Sequence, residues 1–255
     1  MPPTPKVRPY RWLAEYYDRI FTFHLGWAEA ARQAALGNVL PRVESACDLA
    51  CGTGTTAVKL AKQGIRMYGV DLSPGMVRKA REKARAAGVP LRVIQADMRN
   101  FRLPERVDVI LCEFDALNHI PRESDLALVA KSAARALKPG GYFFFDVNNR
   151  DAFRKVWKGS WWLEIPGLVL VMRGSYDRAR DRGVTECEWF IREGALWRRH
   201  HEHIEQIAWT PAEMRRMLRE AGFDQVRAWD ATPFFKDHSG TIPGCRTYYR
   251  ARRGA

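Results

Sequence analysis

The stretch Val43-Glu44-Ser45-Ala46-Cys47-Asp48-Leu49-Ala50-Cys51-Gly52-Thr53-Gly54 decides the fold. Its apolar part ends at Asp48 and breaks into the small residues Ala50 to Gly54. Helical spacing follows at once over Thr55 to Ala61. Buried strand, glycine turn and helix, in that order, make a nucleotide cradle. Glycine lets the backbone approach a ligand with no Cβ in the way. The helix start adds unpaired N–H groups at the positive end of its dipole.

Working outward, strands and helices alternate. Arg66–Val70 reads as strand and Ser73–Ala87 as helix, with Ser73 at the N-cap, Pro74 at the first position and Gly88 after the end. Leu91–Gln95 and Val107–Cys112 are predicted strands. Leu126–Leu137 is a predicted helix, stopped by Lys138-Pro139-Gly140-Gly141, and Tyr142–Val147 a buried strand. This rhythm predicts an α/β fold with a parallel sheet covered by helices on both faces. Before it, Tyr10–Leu36 has helical spacing, with Gly26 as the candidate break. After it, Leu168–Tyr176, Val184–Arg192 and Leu196–Trp209 read as a β meander with glycine turns. Thr210-Pro211-Ala212-Glu213 starts another helix, and Gln225–Asp230 and Thr247–Arg252 close the chain as strands. The expected organisation is a helical lid over residues 1–40, a main domain over 41–150 and 210–255, and an antiparallel β insert over 151–209.

Bulk properties narrow the classes. A chain of 255 residues with 46% hydrophobic content fits one α/β domain with a small insert. No run of 18 apolar residues occurs, and the opening MPPTPKVRPY holds no apolar signal core, so a cytoplasmic protein without a membrane span is expected. Cys47, Cys51, Cys112, Cys187 and Cys245 are scattered, with no CxxC pair, so neither zinc nor a disulfide framework is expected. The net charge of +13 raises nucleic acid as a partner. The basic residues are spread thinly, however, and Arg78–Arg85 reads as a solvated helix face, which argues against one.

Several positions constrain the ligand. Gly52-Thr53-Gly54-Thr55-Thr56-Ala57 satisfies a loose GxGxxA pattern, so an NAD-binding dehydrogenase has to be weighed. Asp71 ends the next strand, where a carboxylate suits two ribose hydroxyls. Asp97 follows the third strand, placed to accept from an adenine amino group. Glu113, Phe114 and Asp115 follow the fourth.

With DLACGTG (48–54), GVDLSPGM (69–76), QADM (95–98), CEFDALNHI (112–120) and ALKPGGYFFFDV (136–147) in register, the chain resembles the class I S-adenosylmethionine-dependent methyltransferases. The resemblance implies a Rossmann-like, doubly wound seven-stranded sheet whose last strand is antiparallel, here Cys245–Arg252. It also implies S-adenosylmethionine as cofactor and S-adenosylhomocysteine as product. Asp71 would hold the ribose and Asp97 the adenine amino group, with Leu72, Met76, Ala96 and Met98 about the ring. Ala50, Cys51, Gly52 and Gly54 would meet the methionine portion, Asp48 would anchor the loop, and Glu113 and Phe114 would face the reactive end. Tyr17, in the pair Tyr17-Asp18, would close over the cofactor.

The acceptor is less legible. His119 follows the fourth strand and is the candidate catalytic base. His200, His201 and His203 invite a metal, but only residues 201 and 203 share a strand face and nothing completes a ligand set, so no metal is expected. Trp157, Trp161, Trp162, Trp189, Trp197 and Trp209 crowd the insert as core or as a wall over the acceptor. The lid and meander look like the small-molecule branch that includes glycine and amino-sugar N-methyltransferases. The expectation is therefore methyl transfer to a small molecule, amine favoured over hydroxyl, with a homodimer through the insert as a further expectation. An RNA or protein methyltransferase and a noncatalytic S-adenosylmethionine-binding protein are the alternatives.

Overall fold

The computed structural model describes residues 13–21, 24–234 and 244–254. In chain order its elements are α1 (Leu13–Ile20), α2 (His24–Leu36), β1 (Ser45–Leu49), α3 (Thr55–Lys62), β2 (Arg66–Asp71), α4 (Pro74–Ala86), β3 (Leu91–Gln95), β4 (Val107–Cys112), α5 (Glu123–Ala136) and β5 (Leu137–Asn148). There follow α6 (Arg150–Lys155), β6 (Gly159–Ile165), β7 (Leu168–Asp177), β8 (Arg182–Glu193), β9 (Leu196–Ile207), α7 (Pro211–Glu220), β10 (Phe223–Asp230) and β11 (Arg246–Arg253).

Seven strands form one sheet in the order β10-β11-β5-β4-β1-β2-β3. Strands β1 to β5 pair in parallel, while β11 runs antiparallel to both β5 and β10. The Rossmann-like sheet with an antiparallel last strand is thus present. Burial explains it: β1 is buried at every position, as a strand covered on both faces must be. On one face Phe143, Phe145 and Tyr249 pack with Leu126, Val129, Met214 and Met217 of α5 and α7. On the other, Phe144 and Tyr248 pack with Trp27, Ala31, Ala57 and Leu60 of α2 and α3.

The insert is a separate antiparallel sheet in the order β6-β7-β8-β9. Its inner face carries Leu168, Leu170, Cys187, Trp189 and Ile191, which pack against Leu13, Tyr16, Tyr17, Ile20 and Phe21. Lid and insert therefore share one small core. Two ion pairs tie α1 to the main sheet's helices as well, Glu15 bonding Arg78 and, at 2.6 Å, Lys79 of α4.

Some boundaries differ from the sequence reading. Helix α2 runs through Gly26, and the break lies after Ile20 instead. Gly26 is tolerated because the helix gains its stability from the packed face of Trp27, Ala28, Ala31 and Ala35. Strand β6 was not expected: Trp161 and Trp162 are adjacent, one on each face of an edge strand, so alternation is hidden. Helix α6 is too short to show a period. It is set by Asn149, whose Oδ1 accepts from Asp151 N and Ala152 N. Strand β5 starts at Leu137 rather than Tyr142, with the irregularity against β4 absorbed where Gly140 takes φ 77°.

All five cysteines are buried and free. Among the described residues no helix is long and apolar enough to cross a membrane.

Candidate active site

The loop after β1 turns through left-handed backbone at Ala50 (φ 60°), Gly52 (φ 53°) and Gly54 (φ 78°). Gly54 stands at the start of α3, and a Cβ there would lie 2.9 Å from Ala80 Cβ. From the neighbouring strand, Asp71 fixes the loop: its Oδ2 accepts from Gly52 N at 2.9 Å and its Oδ1 from Ser73 N at 2.8 Å. Burial raises its carboxyl above the ordinary value, against the pull of those backbone donors. Each oxygen keeps a further lone pair for a ligand.

The loop after β4 is left-handed at Phe114 (φ 62°) and Asp115 (φ 52°). Asp146 on β5, fully buried, accepts Phe114 N at 2.6 Å and Asp115 N at 2.9 Å. Arg246 on β11 bonds Asp146 and, at 2.7 Å, Asp115. Its guanidinium lies 5.0 Å from the Trp27 ring centre and 5.4 Å from that of Phe114.

Between these loops lies a cavity of about 340 Å³. The first loop lines it with Asp48, Ala50, Cys51, Gly52, Thr53, Thr55 and Thr56, and the second with Glu113 and Phe114. Tyr17, Asp18 and Phe21 at the lid, Leu25 and Ala28 of α2, and Lys83 of α4 complete the wall. Lys83 Nζ pairs with Asp18 at 2.7 Å, and Thr53 Oγ1 donates to the same carboxylate, so polar bonds hold the lid to the loop.

The cavity is acidic at its base. Burial pushes Asp48 up to about 8, with the charge of Glu113 adding to the shift. Burial likewise pushes Glu113 up to about 7, opposed by the Arg32 guanidinium that bonds its Oε2. Glu113 Oε1 is buried without a hydrogen-bond partner among the described residues. A buried carboxylate oxygen left in that state is a vacancy for a donor.

Tyr17, Asp48, Ala50, Cys51, Gly52, Glu113 and Phe114 are thus brought together at one cavity. Asp71, Gly54 and Met76 stand behind the loop, Met76 buried with its sulfur 4.0 Å from where a Gly52 Cβ would lie. Leu72 is 65% exposed beside Asp71. Ala96 and Met98 pack against the core, Ala96 N donating to Asp71 O at 3.0 Å. Asp97 bonds the Arg99 side chain and its backbone N, forming a turn.

His119 does not line the cavity. It sits in a short 3₁₀ turn, Ala116–His119, with its Nε2 3.1 Å from Gln206 Nε2. Gln206, on β9, also donates to Asp115 at 2.6 Å. Burial lowers the imidazole below its ordinary value, which keeps it neutral. The three insert histidines hold no metal group among the described residues. His201 and His203 instead pair with Glu186 and Glu188 across the strands, and His203 also with Glu205 on its own strand.

Sequence reasoning missed Arg32, Asp146, Arg246 and Gln206. Only Arg32 left a signal, as the single cation on a face of α2 that otherwise reads Trp27, Ala28, Ala31 and Ala35. The other three act across 31 to 131 positions of sequence.

Residues 46–141 match the family model described as a methyltransferase domain. Over those residues the chain is similar to methyltransferase domains. A protein of Bacillus subtilis (strain 168) named as a methyltransferase, YqeM, is 27% identical over 251 residues, spanning 96% of this chain and 97% of its own. The fold is that of an S-adenosylmethionine-dependent methyltransferase from Clostridium acetobutylicum, with a TM-score of 0.79 at 22% identity, covering 97% of this chain and all of that one. It is also similar to that of the sugar N-methyltransferase KedS8 from Streptoalloteichus, at a TM-score of 0.76 and 22% identity over 96% and 93% of the two chains. The cavity where the two left-handed loops meet is the candidate active site.

Proposed function

We propose that the enzyme methylates a small-molecule amine, of which an amino sugar is the nearest chemical type. One observation carries the reading: the cavity is lined on one side by the packed rings of Tyr17, Phe21 and Phe114, an apolar wall suited to a compact acceptor. The sugar N-methyltransferase of the same fold supports it, lid and insert included.

S-Adenosylmethionine supplies a methyl group already activated on a sulfonium, so the protein's task is to bind, orient and dehydrate. Asp71 holds both ribose hydroxyls through its outward lone pairs. Asp97 takes the adenine amino group, with Leu72, Met76, Ala96 and Met98 about the ring. Ala50, Cys51, Gly52 and Gly54 leave open backbone for the methionine portion, Asp48 anchors their loop, and Glu113 Oε1 accepts from its ammonium. Tyr17 would close over the cofactor, and Phe114 would border its reactive end. An amine acceptor has to shed a proton. His119 bears on that region through Gln206, which also bonds Asp115, and in this reading it positions the second loop.

The five reduced thiols suit a cytoplasmic enzyme. The exposed Trp161, Trp162, Leu196 and Trp197 of the insert suit a homodimer, which light scattering checks: a monomer at all concentrations removes it.

The deciding experiment is a screen of amino sugars, simple amines, phenols, RNA and protein fractions with methyl-radiolabelled cofactor. Label in amines, retained after mild alkali, is expected. Label confined to phenols, RNA or protein refutes the amine, and no label in any class turns the reading toward a noncatalytic binder.

A further inference from the structure

A second hollow lies at the opposite end of α2 from the cofactor cavity. It measures about 440 Å³ and opens between the helix's last turn and the β10–β11 edge of the large sheet. Gln33 and Asn38 form the helix side, and Tyr142, Arg227, Trp229 and Arg250 the sheet side.

The two arginines are the telling feature. In the antiparallel register Arg227 stands directly opposite Arg250. Like charges at opposed positions destabilise a strand pair unless something lies between them. Among the described residues neither forms an ion pair, and no carboxylate lines the hollow. The Arg250 guanidinium is set between the rings of Tyr142, at 5.4 Å, and Trp229, at 5.8 Å. One arm, Nη1, donates to Ala35 O. Its Nε is buried with no acceptor. Buried donors are nearly always met, so a fixed guanidinium with an unmet N–H beside a second unpaired guanidinium is the complement of an oxyanion.

We propose that this hollow binds a small organic anion, a carboxylate or phosphate carried on a compact body. Arg227 and Arg250 Nε hold the oxyanion, and the amides of Gln33 and Asn38 meet the body of the molecule. The volume lies within the range of small-molecule sites, about 300–1,000 Å³. The site shares α2 with the active site: Leu25 and Ala28 line the cofactor cavity, and Arg32 bonds Glu113.

The test is calorimetry on the full chain saturated with S-adenosylhomocysteine, so that the cofactor cavity takes up no probe. Inorganic phosphate, phenyl phosphate and benzoate are titrated at low ionic strength. One-to-one saturable binding of at least one probe is expected, weakened about tenfold or more by Arg227→Gln, the loss of one charge-assisted contact. Arg250→Lys keeps the charge but removes Nε and is expected to weaken binding similarly. Arg227 is exposed, so its variant tests the site even where the Arg250 variant misfolds. Failure of all three probes to saturate at millimolar concentration overturns the proposal. So does unchanged binding in Arg227→Gln, and so does binding of an RNA oligomer, steeply salt-dependent, with none of the small anions bound.

Discussion

Two loops meet at the candidate active site, and both depend on left-handed backbone, yet they reach it by different means. The first, after β1, places glycine at two of its three left-handed positions, where the conformation costs little. The second, after β4, places Phe114 and Asp115 there, at roughly 1–2 kcal/mol each. The first shape follows from the residues' own freedom. The second is imposed from outside, by Asp146 accepting both backbone N–H groups and Arg246 bridging Asp146 to Asp115. One loop is local chemistry, and the other is a clamp assembled from β5 and β11.

Removing the clamp is expected to have the largest effect. Asp146→Ala leaves two backbone donors unmet and strips Arg246 of a buried partner. Breaking a buried pair on one side costs about 3–5 kcal/mol, read by urea unfolding. Asp146→Asn keeps an acceptor and is expected to lose less. In both variants methyl transfer should fall further than cofactor affinity, because most of the cofactor wall belongs to the first loop. Stability within about 0.5 kcal/mol of the parent would mean that the second loop holds its own shape.

Asp71 is the first loop's counterpart of Asp146, on a strand neighbouring the loop and bonded to its backbone. It differs in that, under the proposed function, ribose hydroxyls would share the carboxylate. Asp71→Ala is expected to weaken S-adenosylmethionine binding tenfold to a hundredfold, about 1.4–2.7 kcal/mol, by calorimetry. Unchanged affinity would sink the ribose assignment and leave Asp71 as a loop tether alone.

Within the first loop, glycine's role can be divided. Gly54→Ala combines a left-handed φ with a Cβ 2.9 Å from Ala80, whereas a Cβ at Gly52 meets only the Met76 sulfur at 4.0 Å. Gly54→Ala should therefore destabilise by about 2 kcal/mol and Gly52→Ala by about 1 kcal/mol. Equal losses would show that the conformation alone sets the cost and that the contact with α4 is soft.

The same contrast explains what could be read in advance. The first loop, Asp71 and the alternating strands β1 to β5 are local signals: glycines at a turn, a carboxylate at a strand end, apolar runs of five or six residues. The left-handed turn at Phe114 and Asp115 carries little mark, because Phe does not favour it and Asp, which tolerates it, is equally at home in other turns. Its causes, Asp146, Arg246 and Gln206, are ordinary polar residues until the sheet brings them together. Asp97 is legible as a strand-end acid, whereas its bond to Arg99, two residues on, depends on the turn geometry that the chain adopts there. The insert was read as a meander, while its shared core with α1 was invisible, since Trp189 and Tyr16 meet only in three dimensions.

His119 supplies the smallest and most discriminating effect. Its Nε2 faces the Gln206 amide, and the same amide reaches Asp115, so the imidazole bears on the second loop at one remove. Burial keeps it neutral across the ordinary working range, since its pKa is shifted down rather than up. A base that took the acceptor's proton directly would set the acidic limb of the rate profile, and His119→Phe would remove that limb. A residue that only steadies Asp115 leaves the limb in place. The expectation is accordingly a drop in kcat of a few-fold, about 1 kcal/mol, with cofactor affinity near normal and an unchanged shape of kcat against pH. Loss of the acidic limb in His119→Phe would return His119 to the role of catalytic base, and would require Gln206 to turn away when the acceptor binds.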